Sequence, residues 1–253
     1  MTSHGHVDLL ICFKHRFNRA SLINIGYLQS RLECDYLAMH DVDLLPQNPE
    51  LNYSYPESGP CHIAAPELHP LYHYKTFVGG ILLISNKHFH QLNGMSNRFW
   101  GWGREDDEFY LRIKDENLKV RRPEGVSTNY RNTFYHIHDK FQHPRDYSRI
   151  GQQRQKSRRD HFTGADTVQY GLLSRKEIII DGASVTILNV KLECDIESTP
   201  WCMTLDQLER YLKELAKTDP DRVDFLKEKL FGPDGLMITS TKPPRKTRKY
   251  VTR

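Results

Sequence analysis

Two rhythms of apolar and polar positions run along this chain of 253 residues. "VDLLICF" (7–13) is a nearly continuous apolar run with β-branched members, the pattern of a buried strand. In "NRASLINIGYLQSRL" (18–32), Leu22, Ile25, Leu28 and Leu32 recur at helical spacing and share one face. "DYLAMHDVDLLP" (35–46) predicts a strand that ends at its acids. "FVGGILLIS" (77–85) predicts another, entered through a glycine pair, and "NTFYHIHD" (132–139) a short extended segment. Between them, "DDEFYLRIKDENL" (106–118) reads as a helix that turns Phe109, Ile113 and Leu118 toward a core. "KEIIIDGASVTILNVKL" (176–192) reads as a hairpin with Asp181-Gly182 at its turn. Strands and helices alternate through the first two-thirds, which predicts an α/β fold with a mostly parallel central sheet.

The pattern changes after Cys202. "TLDQLERYLKELAK" (204–217) carries Leu205, Leu208, Leu212 and Leu215 at helical spacing, and Thr204 with Gln207 fits a capping box. Asp219-Pro220 starts a second short helix through Val223, Leu226 and Leu230. From Ile238 the chain is basic, contains prolines and reads as disordered. The expected division is a main domain over 1–203, a helical appendage over 204–237, and a basic tail over 238–253. There is no internal repeat.

Composition changes little in this picture. With 38% apolar and 27% charged residues, the chain is an ordinary globular protein. Its net charge of +4 is small for the length and comes partly from the tail, so nucleic acid is not an expected partner. No apolar run approaches the ~20 residues that span a bilayer, so no transmembrane segment is expected. The first residues do not form a signal peptide. Of five cysteines, Cys12, Cys34 and Cys61 are scattered. Cys194 and Cys202 lie close together around Pro200. They either close a short disulfide loop, which would imply an oxidising compartment, or stand as two free thiols.

Three constellations carry candidate chemistry. Asp41 and Asp43 follow an apolar strand in "HDVDLLP". Where the strand ends the two carboxylates can diverge, one to a divalent cation and the other to a sugar hydroxyl; alone, such a pair also reads as solvated turn acids. His136 and His138 in "YHIHD" point the same way from an extended segment, which suits two ligands on one metal, with Asp139 as a supporting partner; among 13 histidines the pair alone also reads as surface histidines. A carboxylate and imidazoles with open positions suit Mn²⁺ and also Zn²⁺. Finally, "SNRFWGWGREDDEF" (96–109) interleaves two tryptophans with two glycines before four acids. Its glycines make it a poor core element. The indole offers a flat platform for a sugar ring, and acids in a first helical turn are also stabilised by the helix dipole alone.

Together with "FNRASLINIG" and "ELHPLYHYKTFVGG", these motifs occur in an order and at a spacing that resemble the β-1,4-galactosyltransferase family, in particular its xylosylprotein branch. The resemblance runs from about Phe17 to Cys202. It implies a GT-A-type nucleotide-sugar-binding fold and an inverting glycosyltransferase. That enzyme would use Mn²⁺ to move galactose from UDP-galactose to the 4-hydroxyl of xylose on proteoglycan core proteins. Residue by residue, it implies Asp43, His136 and His138 as metal ligands and Asp106 as general base. It places Phe17, Arg19, Asp41, Phe77, Gly79, Gly80 and Trp102 on the donor side. Tyr72, Tyr74, Trp102, Arg104, Asp107 and Arg149 fall on the acceptor side, with Glu105 in support. Trp102 matches the family's mobile loop, and the disulfide between Cys194 and Cys202 is favoured. The compartment it implies is the Golgi lumen.

One departure is expected to matter. The family's first strand, which ends in a Pro-Phe-Arg-x-Arg motif on the nucleotide, has no counterpart before Phe17, nor have the membrane anchor and stem. The chain therefore reads as N-terminally truncated, with weakened UDP-galactose binding. An alternative is a catalytically weakened or inactive relative that acts as a binding subunit. An N-acetylglucosamine acceptor is disfavoured by the HxH pair and "HPLYHYK".

Overall fold

The computed structural model describes residues 6–11, 15–151, 153 and 159–231. The predicted basic tail over 238–253 lies outside these residues, as do Cys12 and Phe13. In chain order the elements are β1 (His6–Ile11), α1 (Arg19–Ser30), β2 (Tyr36–His40), β3 (Leu44–Pro46), β4 (Cys61–His62) and β5 (Ile81–Ser85). They continue with α2 (Asn86–Gln91), α3 (Glu105–Asp115), β6 (Phe134–His136), β7 (Tyr170–Ile180) and β8 (Ala183–Leu192). A single 3₁₀ turn (Pro200–Cys202) then leads to α4 (Leu205–Leu215) and α5 (Pro220–Phe231).

The α/β character expected from the sequence holds, while strand direction departs from it. The described strands form three small sheets, ordered β1-β8-β7, β2-β5-β4 and β3-β6. Only β1 with β8 is parallel among the described pairs of strands, and the others are antiparallel. Apolar runs such as Ile81–Ile84 arise wherever both faces of a strand are covered, whatever its direction, so periodicity did not reveal the pairing.

β5 shows the covering directly. Leu82 and Ile84 enter one apolar cluster, with Met39, Phe89, Phe109 and Ile113. Ile81 and Leu83 enter another, with Leu44, Ile63 and Phe134. All four β5 side chains are at most 1% exposed, and burial of each contributes about 1.5–3 kcal/mol. Helix α1 divides its apolar positions in the same way. Tyr27 and Leu28 face the β5 cluster, whereas Leu22 and Ile25 enter a third cluster with Trp100, Leu188, Val190 and Trp201. Leu32, predicted on the apolar face, is 94% exposed, because the helix stops at Ser30.

Local signals held closely. Asn18 caps α1 by accepting the Ser21 N–H at 2.9 Å. At the β7–β8 turn, Asp181 and Gly182 have φ of 48° and 82°, the paired positive angles of a type I′ turn. Thr204 and Gln207 form the capping box of α4 in both directions. Leu208, Leu212, Val223, Leu226 and Leu230 are all buried in the same cluster as Ile25, Trp100 and Trp201.

Candidate active site

Two short backbone links bring the separated motifs onto one surface. The Asp41 N–H donates to Gly80 O at 2.8 Å, joining the Asp-Val-Asp turn to the glycine pair. The Ile137 N–H donates to Asp43 O at 2.9 Å, alongside the β3–β6 pairing of Leu44 with His136. The two carboxylates then diverge. Asp41 pairs with Arg19 at 2.7 Å. Asp43 Oδ2 lies 3.5 Å from His136 Nε2 and 3.0 Å from His138 Nδ1. Burial holds His136 below the usual imidazole range, so the neutral ring keeps a lone pair for a metal. His138 Nε2 is buried without a hydrogen-bond partner. Asp139 does not supply one. Its carboxylate accepts the N–H groups of Phe141 at 2.8 Å and Gln142 at 3.1 Å, closing its own turn.

Asp106 sits in the first turn of α3, against the glycine pair. A Cβ added to Gly79 would lie 2.7 Å from Asp106 Oδ2 and 2.7 Å from the Phe77 ring, so only glycine lets that backbone approach. Burial pushes the Asp106 carboxyl well above its ordinary range, and the negative charges of Glu105 and Asp107 add to this, with Arg19 opposing. Glu105 is pushed up by burial as well, against Arg19, whose guanidinium lies 3.9 Å away. Burial also raises Asp107, although it accepts the Tyr74 hydroxyl at 3.1 Å. Three acids thus crowd one helix terminus, the end at which the helix dipole tolerates negative charge.

Phe77 is buried beneath this site. It meets Tyr72 at 5.1 Å, Tyr74 at 5.4 Å, His62 at 5.2 Å and His69 at 5.1 Å. Burial lowers both histidines to about 3, so they pack as neutral rings.

The two tryptophans of the Trp-Gly-Trp-Gly run separate. Trp100 is 3% exposed and belongs to the core, contrary to the expectation that this stretch is a poor core element. Trp102 is half-buried, against Arg145 and Tyr147. Between and after them Gly101 and Gly103 take φ of 80° and 98°, which turns the chain between the two indoles. Arg104 follows at φ 79°, a left-handed conformation that costs a non-glycine residue about 1–2 kcal/mol. It presents Arg104 to solvent as the N-cap of the helix that carries Asp106. The Gly101 N–H donates to Phe17 O at 2.8 Å, which brings the exposed Phe17 beside the loop. Arg149 donates to Trp102 O at 2.7 Å.

The structure thus joins Asp41 to Arg19 and Gly80, Asp43 to His136 and His138, Asp107 to Tyr74, Phe17 to Gly101 and Trp102 to Arg149. Sequence motifs did not reveal Arg16, Arg145 and Tyr147. Arg16 is buried and binds Asp146 at 2.6 Å, Ser148 O at 2.8 Å and Trp201 O at 2.8 Å. Arg145 and Tyr147 touch the Trp102 indole. None of the three lies in a motif, and their contacts are with residues far along the chain, which spacing does not state. Cys194 and Cys202 form a disulfide, and Cys34 and Cys61 are free. His15 places a ring nitrogen near the two sulfurs, but sulfurs bonded to each other offer no thiolate to a metal.

Comparison with known proteins places the site in context. Residues 59–137 match the family described as the N-terminal domain of galactosyltransferase. The chain is 56% identical over 199 residues to human beta-1,4-galactosyltransferase 7, covering 78% of this chain and 61% of the relative. It is 51% identical over 193 residues to the Caenorhabditis elegans xylosylprotein 4-beta-galactosyltransferase, covering 74% of this chain and 66% of that one. The chain thus spans about 61–66% of the length of these curated relatives. A crystal structure of a Drosophila beta-1,4-galactosyltransferase 7 mutant in complex with manganese, UDP-Gal and xylobiose is similar, with a TM-score of 0.77 and 51% identity. That match covers 79% of this chain and 85% of the other. A second, of the Drosophila catalytic domain with xylobiose, has a TM-score of 0.75 and 44% identity, over 79% and 99% of the two chains.

Proposed function

Because the chain belongs to the β-1,4-galactosyltransferase family, we propose that it moves galactose from UDP-galactose to the 4-hydroxyl of xylose on proteoglycan core proteins, inverting the anomeric carbon. One observation carries the proposal: the Asp41–Gly80 link and the Gly79–Asp106 approach make the metal-type cluster, the glycine pair and the carboxylate one continuous surface. The intact cluster and carboxylate favour an enzyme over a binding subunit.

Asp43, His136 and His138 would hold Mn²⁺: Asp43 Oδ2 lies 3.5 Å and 3.0 Å from a nitrogen of each ring, and the three ligand atoms would draw closer together around an ion. When bound, the ion would supply positive charge to the diphosphate of the leaving group. The protein's own part is positioning and proton transfer. Asp41, fixed by Arg19, stands where a ribose hydroxyl would be held, with Phe17 beside it. The bare backbone of Gly79 and Gly80 and the ring of Phe77 border the galactose. Asp106 takes the proton from the acceptor hydroxyl as that oxygen attacks the anomeric carbon, a role that contributes roughly 10²–10⁴-fold in rate. Asp107, with Tyr74, binds acceptor hydroxyls, and Trp102 and Tyr72 flank the sugar, with Arg104 and Arg149 at its rim. In this reading residues 1–203 carry the chemistry, and of the appendage the described residues 204–231 share a leucine core with them.

The disulfide supports an oxidising lumen, and the Golgi is the compartment in this reading. No described helix is long and apolar enough to cross a membrane. The proposal is tested with radiolabelled UDP-galactose and a β-xyloside acceptor. Transfer should require Mn²⁺ and vanish on chelation and in Asp43→Ala. Transfer that survives both would overturn the metal assignment, and no transfer by the unaltered chain would overturn the function.

A further inference from the structure

Arg145 belongs to none of the motifs that carry the family likeness, yet it touches both aromatic walls of the acceptor side. Its guanidinium carbon lies 4.8 Å from the centre of the Trp102 ring. Its Nη1 donates to the Tyr72 hydroxyl at 3.1 Å. These two aromatics come from separate segments, and neither stands on a helix or strand. Trp102 needs outside support, because Gly101 and Gly103 on either side of it take positive φ and fix little by themselves. The 145–149 segment provides that support. The Trp102 N–H donates to Asp146 O at 2.9 Å, and Arg149 holds the Trp102 carbonyl at 2.7 Å. Tyr147 meets the indole at 5.1 Å, nearly edge-on. Arg145 alone in this group extends beyond Trp102 to Tyr72. A planar guanidinium can stack on an indole and donate in its own plane at once, which an ammonium cannot do.

We infer that Arg145 is the positioning residue of the acceptor site, setting the Trp102 indole and the Tyr72 phenol in fixed relation so that a sugar acceptor meets a preformed wall. This rests on the galactosyltransferase reading and adds to it a residue that shapes the acceptor wall, while its charge also lies near Asp43 and His136 of the metal-type cluster. Loss of a stacked cation and one hydrogen bond corresponds to about a tenfold loss in acceptor binding.

The test is steady-state kinetics with a β-xyloside and UDP-galactose on the full chain, comparing the unaltered protein, Arg145→Met, Arg145→Lys, Tyr72→Phe and the Arg145→Met/Tyr72→Phe double variant. Arg145→Met should raise the acceptor KM about tenfold. The donor side is read on Arg145→Lys, which keeps the charge near Asp43 and His136: there the donor KM and the slow hydrolysis of UDP-galactose should stay within about twofold of the unaltered protein. Arg145→Lys should recover part of the loss. The double variant should fall short of the product of the single effects, because both remove the same hydrogen bond. An unchanged acceptor KM in Arg145→Met, or a donor KM raised as much as the acceptor KM in Arg145→Lys, would overturn the inference while leaving the transferase reading intact. Absence of transfer by the unaltered chain would overturn both. If Arg145→Met lowers the melting temperature, Arg145→Lys, which keeps the charge and the stem, decides between the same outcomes.

Discussion

Asp106 shows how a single residue can be unfavourable for the fold and useful for the chemistry. It is a carboxylate pressed against the Gly79 backbone and flanked by two further acids. Its proton is held more tightly in the folded chain than in the unfolded one, where an aspartate titrates near ~3.9. The sign of the linkage follows. Below that pH the group costs nothing, and the cost grows as pH rises through the raised folded value. Asp106→Asn should therefore abolish transfer and also raise the melting temperature at pH 7.5, with no gain at pH 4. Thermal unfolding at the two pH values checks this, and an equal shift at both would show that the buried charge is not the cause. The same elevation predicts a transfer rate that climbs with pH as Asp106 ionises, since a base acts only when deprotonated. Arg104, left-handed at φ 79° two residues before Asp106, is strain of a kind that clusters at functional positions.

At the scale of elements, α4 and α5 set the clearest question. Their pattern reads as a hairpin laid onto a finished domain, yet Leu208 and Leu226 are fully buried among Ile25, Trp100 and Trp201. Leu226→Ala should thus cost about 2–5 kcal/mol, as in any well-packed core. Phe225→Ala, next along the chain and 47% exposed, should cost under about 1 kcal/mol. Urea unfolding of the two variants measures the contrast, and equal small effects would mean that the helices rest on the domain without sharing its core. Helix α1 carries a similar lesson. It is buried on two sides, so its apolar residues divide between clusters and do not form the single stripe that helical spacing suggests.

At the scale of the whole molecule, the Cys194–Cys202 loop ties distant segments together. The Arg16 N–H donates to Cys202 O at 2.7 Å, and the Arg16 side chain donates to Trp201 O at 2.8 Å, so the loop reaches the segment that holds Trp102. A loop of this length stabilises by about 2–3 kcal/mol. The Cys194→Ser/Cys202→Ser double variant should lose that much in denaturant unfolding, and an unchanged midpoint would show that packing of Trp201 alone holds the loop. The sequence by itself determined what is local: helix caps, the Asp181-Gly182 turn, the identity of most elements, and the motifs whose spacing marks the site. Those features depend on φ/ψ preferences and on neighbours within a few residues, which the order of residues states directly. Only the tertiary structure decided strand direction, the burial of Trp100 beside the half-buried Trp102, and the meeting of Arg145 with Tyr72. Each depends on which distant segments pack together, and residues 73 positions apart leave no shared period in the sequence from which their contact can be read.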